Sequence, residues 1–587
     1  MDPCVDMFRA TMFPIAAFEP DLFPKRNSND ISLPWPKSAL NPKNRVDSLD
    51  VGQDTKWSID GCGADGTRLF AIPHFARSKG PLRIDLYITE QKCYREGVSD
   101  VFNSGAAISC ARERLVDLPI CQHLVRALDV WSANQQNFEK VYMEMPFGSF
   151  IIIDRMSVDI REMAIHLVPV HDVELQWLPV PKLQGKWNIP SWRWPETIDI
   201  SQLKTLAQLQ ETITLVRLSC KPSSDTFVFK STTDEVRFLY DELRALLEIE
   251  AHPNVISKPL YIITKKCAFG GKVGVCGFIV EYHPAGTLRD VLWRTHGSEA
   301  LALQDRMRWA KQLVSALQHI NKSELSFYSD LKPTNILMVA SNELRDMNIL
   351  LIDFEQRCSW YSWSPPEIYY IEYIQYLARE RPDVLNQKFK SMLDDYLAIL
   401  GQPPSVVDER RHYSNHRLPW LILKPFEQER AQVFMLGKIL WCLFEGVGSV
   451  NSVLTAETFR EPECDQSFPE FRRTPVYLRS LIRRCTAGAM EWRGRFPLVV
   501  RRGMKLFPKG RTGSCGEKVG NARETQVAAR LWWSEEVGEA VRFIEAGQRK
   551  AAGIANTEDL AILAFLEERP YLQEIATALS EIEDVVL

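Results

Sequence analysis

No two cysteines in this 587-residue chain stand in a CxxC spacing; the 13 present are scattered from Cys4 to Cys515. Zinc modules of the ribbon and finger type are therefore excluded. A charge excess is missing too. The 71 Lys+Arg and 75 Asp+Glu leave a net charge of −4, so no general pull toward nucleic acid or anionic membrane is expected. Long apolar runs are absent as well. The best candidate, Val433 to Val447, contains Lys438 and Glu445 and falls short of the ~20 apolar residues that span a bilayer. It reads as a buried core helix, and no membrane span is expected. The N-terminus (Met1-Asp2-Pro3-Cys4) lacks the basic-then-apolar layout of a secretory signal. Together with the scattered cysteines, that predicts an intracellular protein, cytoplasmic or nuclear, with reduced thiols. No internal repeat is found. What is present, 45% hydrophobic and 25% charged residues, is ordinary globular usage. At about 150 residues per domain the length predicts roughly three to four domains.

The texture changes along the chain. Residues 1–55 carry Pro and Asn turns with few periodic apolar runs and read as a loosely ordered arm. Residues 56–180 alternate short strands, such as Leu82–Ile88 and Phe150–Asp154, with a helix over Ile120–Asn134, and predict a small α+β domain. The stretch 181–200 is rich in Pro and holds Trp187, Trp192 and Trp194. Because Pro supports neither helix interior nor central strand, it reads as an extended connector whose indoles need a covering surface. Residues 201–505 alternate strands and helices before a long helical block, and 506–587 read as a helical extension. Its last helix is expected to run from Glu558 to Val586 behind a Thr557 N-cap.

The chemistry lies in Tyr328-Ser329-Asp330-Leu331-Lys332-Pro333-Thr334-Asn335 and, 18 residues after Asn335, in Ile352-Asp353-Phe354-Glu355. The first segment resembles the catalytic loop of eukaryotic protein kinases, with Asp-Leu-Lys-Pro-x-Asn intact, and the second resembles their metal-binding strand end. The resemblance implies that 201–505 is a bilobal α+β unit, with an N-lobe over 201–283 and a C-lobe over 284–505. It implies ATP and Mg²⁺ as cofactors, Asp330 and Lys332 as catalytic groups, and Asn335 and Asp353 as metal ligands. Upstream, Lys230 ends the apolar strand Phe227-Val228-Phe229-Lys230 as the family's ATP-anchoring Lys does. Glu242 heads a periodic helix and is its candidate partner, with Asp241 adjacent. Val280, Glu281, Tyr282 and His283 match the segment whose backbone binds adenine. Pro365-Pro366-Glu367 stands where the family has Ala-Pro-Glu, and Arg493, with Arg495 second, is the match for the Arg that pairs with that Glu. By contrast, Gly270 to Gly277 has the glycine density of a phosphate cradle but leads into a strand, so it reads as a hairpin turn.

The pattern also departs from the family. The stretch Val216 to Asp225, where a Gly-rich phosphate loop should stand, has no glycine; Lys221, Ser223 and Ser224 could contact phosphate instead. Tyr328-Ser329 replaces His-Arg, Glu355 replaces a Gly, and Gln432 stands at an Asp position. The segment from Asp353 to Glu367 is short, at 15 residues, and an insertion over about 368–430 follows it. Three readings result. The leading one is a divergent Ser/Thr-type protein kinase acting on an unidentified protein hydroxyl. The others are a kinase-like scaffold with little nucleotide binding and a small-molecule phosphotransferase of the aminoglycoside or choline kinase type, which shares Ile-Asp-Phe-Glu.

Overall fold

In the computed structural model, the residues described are 55–63, 68–88, 119–155, 160–219, 225–296, 301–339, 347–356, 362–379, 384–400, 418–450, 466–496, 498–502, 505–508 and 522–586. Residues 1–54 of the arm and residues 220–224 of the glycine-free stretch, with Lys221, Ser223 and Ser224, lie outside them, as do parts of the insertion. The architecture is mixed α+β.

Strands β1 (Trp57–Cys62), β2 (Arg68–Pro73), β3 (Asp85–Ile88), β4 (Phe150–Arg155) and β5 (Ala164–Val168) form one sheet in chain order. Only β3 and β4 are parallel, and a parallel pair needs a long crossover. Helix α1 (Pro119–Ala133) lies in that crossover and buries Cys121, Leu124, Ala127 and Leu128 in the same core as Leu69, Leu86 and Ile151.

The Pro- and Trp-rich stretch is not extended throughout. Residues Val180–Trp187 form helix α2, with Pro181 in the first turn, where a missing N–H removes no helical bond. Trp187 and Trp194 stack with centroids 5.5 Å apart and pack on the main core, whereas Trp192 stays 71% exposed.

The second sheet contains β6 (Glu196–Asp199), β7 (Leu203–Gln208), β8 (Ile213–Leu218), β9 (Phe227–Ser231), β10 (Tyr261–Lys266) and β11 (Val273–Glu281), in the order β6-β10-β11-β9-β8-β7. All pairs are antiparallel except β6 with β10. Gly270 and Gly271 turn the β10–β11 hairpin at φ of 73° and 65°, a region that favours glycine. Between β9 and β10 runs α3 (Val236–Glu248), which buries Leu239, Leu243 and Leu246 on one face, at i, i+4 and i+7.

Beyond β11 the chain is mostly helical. Helix α4 (Leu303–Asn321) buries Trp309, Leu313, Leu317 and Ile320, and the hairpin β12 (Ile336–Val339) and β13 (Asn348–Leu351) follows it. The insertion supplies α5 (Pro366–Arg379) and α6 (Val384–Ile399). Helix α7 (Pro425–Glu445) is buried from Ala431 through Glu445 on every face, so the apolar run noted above is a central core helix. Helix α8 (Val476–Cys485) packs against it at Gly437, where a Cβ would sit 2.6 Å from Cys485 Cβ.

The C-terminal extension contains α9 (Ala522–Ala551) and α10 (Leu572–Val586). Trp532, Phe543 and Ile544 of α9 share a second core with Tyr369, Ile374 and Leu393 of the insertion, while Leu531 and Leu560 stay outside it at 55% and 49% exposure. The expected single helix from Glu558 is broken. Two short helices end at Glu568, and Pro570 cannot continue them. The cap is Asn556 rather than Thr557: its side chain accepts from Asp559 N at 2.9 Å in a reciprocal capping box. Among the described residues no helix is long and apolar enough to cross a membrane.

Candidate functional site

Lys230 sits on β9 between Phe278 of β11 and Ile213 of β8 and is 7% exposed. Its Nζ lies 2.6 Å from Glu242 Oε2 on α3, 2.7 Å from Asp353 Oδ1 and 3.7 Å from Glu355 Oε1. The helix starts at Val236, so Asp241 and Glu242 lie midway along α3 rather than at its head, and of the two it is Glu242 that reaches the lysine. Burial disfavours the ammonium, but Asp353, Glu242 and Glu355 outweigh it and hold Lys230 charged well above the ordinary lysine range. Burial raises the Glu242 carboxyl; Lys230 opposes that rise while Asp353 and Glu355 add to it. Glu242 Oε1 also accepts from Phe354 N at 3.2 Å, which ties α3 to the residue after Asp353.

Asp353 is delivered by a clamp between the second sheet and the helices. Leu351 N donates to Asn254 O at 2.9 Å, Ile256 N donates to Leu351 O at 3.0 Å, and Asn254 Nδ2 reaches Ile349 O at 2.9 Å. The His252-Pro253-Asn254 segment thus holds β13 directly before Asp353. Asp353 itself has φ of 67°, a left-handed conformation that Asp tolerates better than most residues. The carboxylates of Glu242, Asp353 and Glu355 can bring oxygens within 4.8 Å of one another. Among the described residues, these three acidic side chains are the donor set with the spacing to hold a metal ion.

The second half of the site is the loop after α4. Asp330 is buried, with Lys332 Nζ 3.1 Å from its Oδ2; Asn335 Nδ2 donates to that Oδ2 and to Asp330 O, each at 2.9 Å. Asp330 Oδ1 has no hydrogen-bond partner among the described residues. Burial raises the Asp330 carboxyl, with Lys332 pulling against the shift and Asp353 adding to it. Ile352 N donates to Asn335 O at 3.0 Å, so the two motifs are joined through backbone.

Residues outside the motifs hold this loop. Gln356 Oε1 accepts from Ser329 N and Oγ, both at 2.8 Å, and its Nε2 donates to Phe327 O at 2.6 Å. Gln432 Oε1 on α7 accepts from Tyr328 N at 3.0 Å, and the Tyr328 hydroxyl donates to Ile352 O. Gln356 carried no sequence signal beyond its closeness to Asp353. Gln432 stood out only as an unusual residue.

Lys230, Glu242, Asp330, Lys332, Asn335 and Asp353 therefore form one connected cluster with Glu355. Val280 is buried at the end of β11, opposite Val228 on β9, and Glu281 ends the strand opposite Phe227. Tyr282 and His283 follow directly. His283 is lowered from its ordinary pKa by burial, which Glu281 partly opposes, and its Nε2 is 4.0 Å from a Glu281 oxygen. Met338 N donates to Gly286 O at 2.9 Å, which fastens this segment to β12.

The partner expected for Glu367 is corrected. Arg493 is exposed in a 3₁₀ turn, and Arg495 pairs with Glu536 at 2.8 Å. The cation on Glu367 is Arg569 of the C-terminal extension, through both guanidinium nitrogens, Nη2 lying 3.0 Å from Oε2. The pair is essentially dry, at 0% and 1% side-chain exposure. A position 202 residues from Glu367 offered no spacing argument.

No protein-family model matches the chain, and no curated protein matches its sequence.

Proposed function

We propose that residues 201–505, with the extension that supplies Arg569, form a bilobal protein-kinase-like unit that transfers the ATP γ-phosphoryl to a protein hydroxyl. The observation that carries this reading is the joint placement of Lys230, Glu242 and Asp353 within 2.7 Å contacts beside a buried Asp330 whose Oδ1 has no hydrogen-bond partner among the described residues. Turn-forming residues alone do not require a buried lysine tied to two distant elements.

The donor set suits a nucleotide with magnesium. Asn335 and Asp353 would hold the ions through hard oxygens, and Lys230 would meet the phosphates. Bound MgATP would supply the phosphoryl group and the cations that offset its charge. The chain's own residues do the rest. Asp330 Oδ1, unpartnered and raised in pKa, orients the acceptor hydroxyl and takes its proton. Lys332 holds positive charge beside Asp330 where negative charge develops. Gln356 and Gln432 keep the loop in register. Adenine would lie against Val280 and the backbone of Glu281, Tyr282 and His283.

A scaffold reading has one specific observation behind it: three carboxylates already surround Lys230, and Glu355 stands beside the metal position. A melting assay with MgATP and an autophosphorylation assay, with wild type beside Asp330→Ala, separate the two. The kinase reading expects stabilisation by MgATP in both proteins and transfer in wild type alone. No stabilisation at millimolar MgATP overturns it in favour of a scaffold. Transfer restricted to small alcohols or amino sugars overturns it in favour of a small-molecule phosphotransferase.

A further inference from the structure

A second polar site lies away from this cluster, between the first sheet and the second. Arg83, in the loop before β3, is 5% exposed and lines a cavity of about 30 Å³ with Phe70, Ile72, Tyr142 and Thr205. Its Nε and Nη2 have no hydrogen-bond partner among the described residues. These two atoms form one edge of the guanidinium, the fork that receives two oxygens side by side. Thr205 Oγ1, also buried in the lining, lacks a partner too.

The nearest acid, Asp85, pairs with Arg83 only loosely and is shared with Arg68. Asp85 Oδ2 accepts from Arg68 Nε at 2.8 Å and Nη2 at 2.5 Å, while Arg83 Nη2 stays 3.5 Å away. Arg83 Nη1 donates to Ser231 Oγ at 3.5 Å. Burial lowers the Arg83 pKa; Asp85 and Glu211 oppose the shift and Arg68 adds to it. The backbone carries a cost at the same residue: Arg83 has φ of 53°, with Gly148 N bridging the Leu82 and Arg83 carbonyls at 3.1 Å.

We propose that this cavity binds a small carboxylate, held by the Nε–Nη2 edge of Arg83 and the hydroxyl of Thr205. The class follows from the walls. A planar monoanion matches one guanidinium edge, and the apolar faces of Phe70 and Ile72 suit a short hydrocarbon body. A phosphate would bring more charge beside Asp85 and leave oxygens against apolar walls. The volume admits roughly two or three water-sized groups, which limits the ligand to the size of formate or acetate. Ser231, touched by the same guanidinium, directly follows Lys230, so the ligand would brace the strand that carries the lysine.

The test uses the full chain and sodium acetate, with ionic strength matched by sodium chloride. Saturation-transfer NMR on the acetate methyl reads binding in wild type, Arg83→Lys and Thr205→Val, with folding checked by near-ultraviolet circular dichroism. The expected result is a clear signal in wild type at tens of millimolar acetate and a loss of roughly tenfold or more in Arg83→Lys, whose ammonium cannot form the fork. Thr205→Val keeps the guanidinium and is expected to weaken binding several-fold, so the test survives if the lysine variant misfolds. Acetate is expected to raise the wild-type melting midpoint by about 2 °C near saturation. No signal in wild type, undiminished binding in both variants, or displacement of acetate by inorganic phosphate as readily as by formate overturns the proposal.

Discussion

Replacing Arg569 by methionine removes a cation whose side chain is fully buried and leaves the Glu367 carboxylate, 1% exposed, without a counter-charge. The guanidinium also donates Nε to Ala487 O at 2.9 Å and lies 4.8 Å from the Phe434 ring of α7 and 5.1 Å from Phe565. Methionine fills much of that space between the rings but gives neither charge nor donor. Breaking a buried pair from one side costs about 3–5 kcal/mol, against about 0–1 for a surface pair. Arg484 and Glu574, 57% and 52% exposed at 3.5 Å, form such a surface pair and provide the internal control. With a urea dependence of about 3 kcal/mol per M, the loss moves the unfolding midpoint of this unit by roughly 1 M or more. Urea titration of the full chain, followed by tryptophan fluorescence, reads it through buried indoles such as Trp441 and Trp532. The double variant Arg569→Met with Glu367→Gln should recover at least half of the loss, because no uncompensated charge remains. A midpoint shift for Arg569→Met no larger than that for Arg484→Met refutes the reasoning.

Asp330→Asn should keep the melting midpoint within about 2 °C of wild type and lower phosphoryl transfer by roughly 10²–10⁴-fold, read as ³²P incorporation; transfer at half the wild-type rate would exclude Asp330 as the base. Asp353→Asn should abolish the melting shift produced by MgATP, and differential scanning fluorimetry shows whether it does. Gln356→Ala leaves Phe327 O and Ser329 N without that partner in a buried setting, so a loss of about 2–4 kcal/mol is expected on denaturation. Gly277→Ala places a methyl against the Lys230 carbonyl oxygen and 2.5 Å from Phe229 Cε2, so overpacking should cost about 1–3 kcal/mol; a variant as stable as wild type would show that β9 can yield.

The elements legible in the sequence were those whose signal is local. The apolar spacing of Trp309, Leu313, Leu317 and Ile320 marks α4 because a helix buries i, i+4, i+8 and i+11 on one face. The glycines at 270 and 271 mark a turn because few other residues take positive φ. Local signals also misled. Prolines in 181–200 suggested an extended chain, but Pro181 in a first turn costs a helix nothing. Thr557 suited a cap by type, but Asn556, one residue earlier, makes the capping bond. The parallel addition of β6 to β10 gives no sequence mark at all, since neighbouring strands register only in three dimensions.

By itself the sequence determined the excluded classes, the α+β texture and the order of Lys230, Glu242, Asp330, Lys332, Asn335 and Asp353, because residue type and short spacing carry that information. Only the tertiary structure decided which groups meet. It chose Glu242 over Asp241, brought Glu355 to the lysine, gave Glu367 to Arg569 instead of Arg493, and left Nε and Nη2 of Arg83 without a hydrogen bond among the described residues. The physical reason is common to the first three. A charge buried away from water is stable only beside a partner, and which partner arrives depends on how sheets and helices pack, not on distance along the chain.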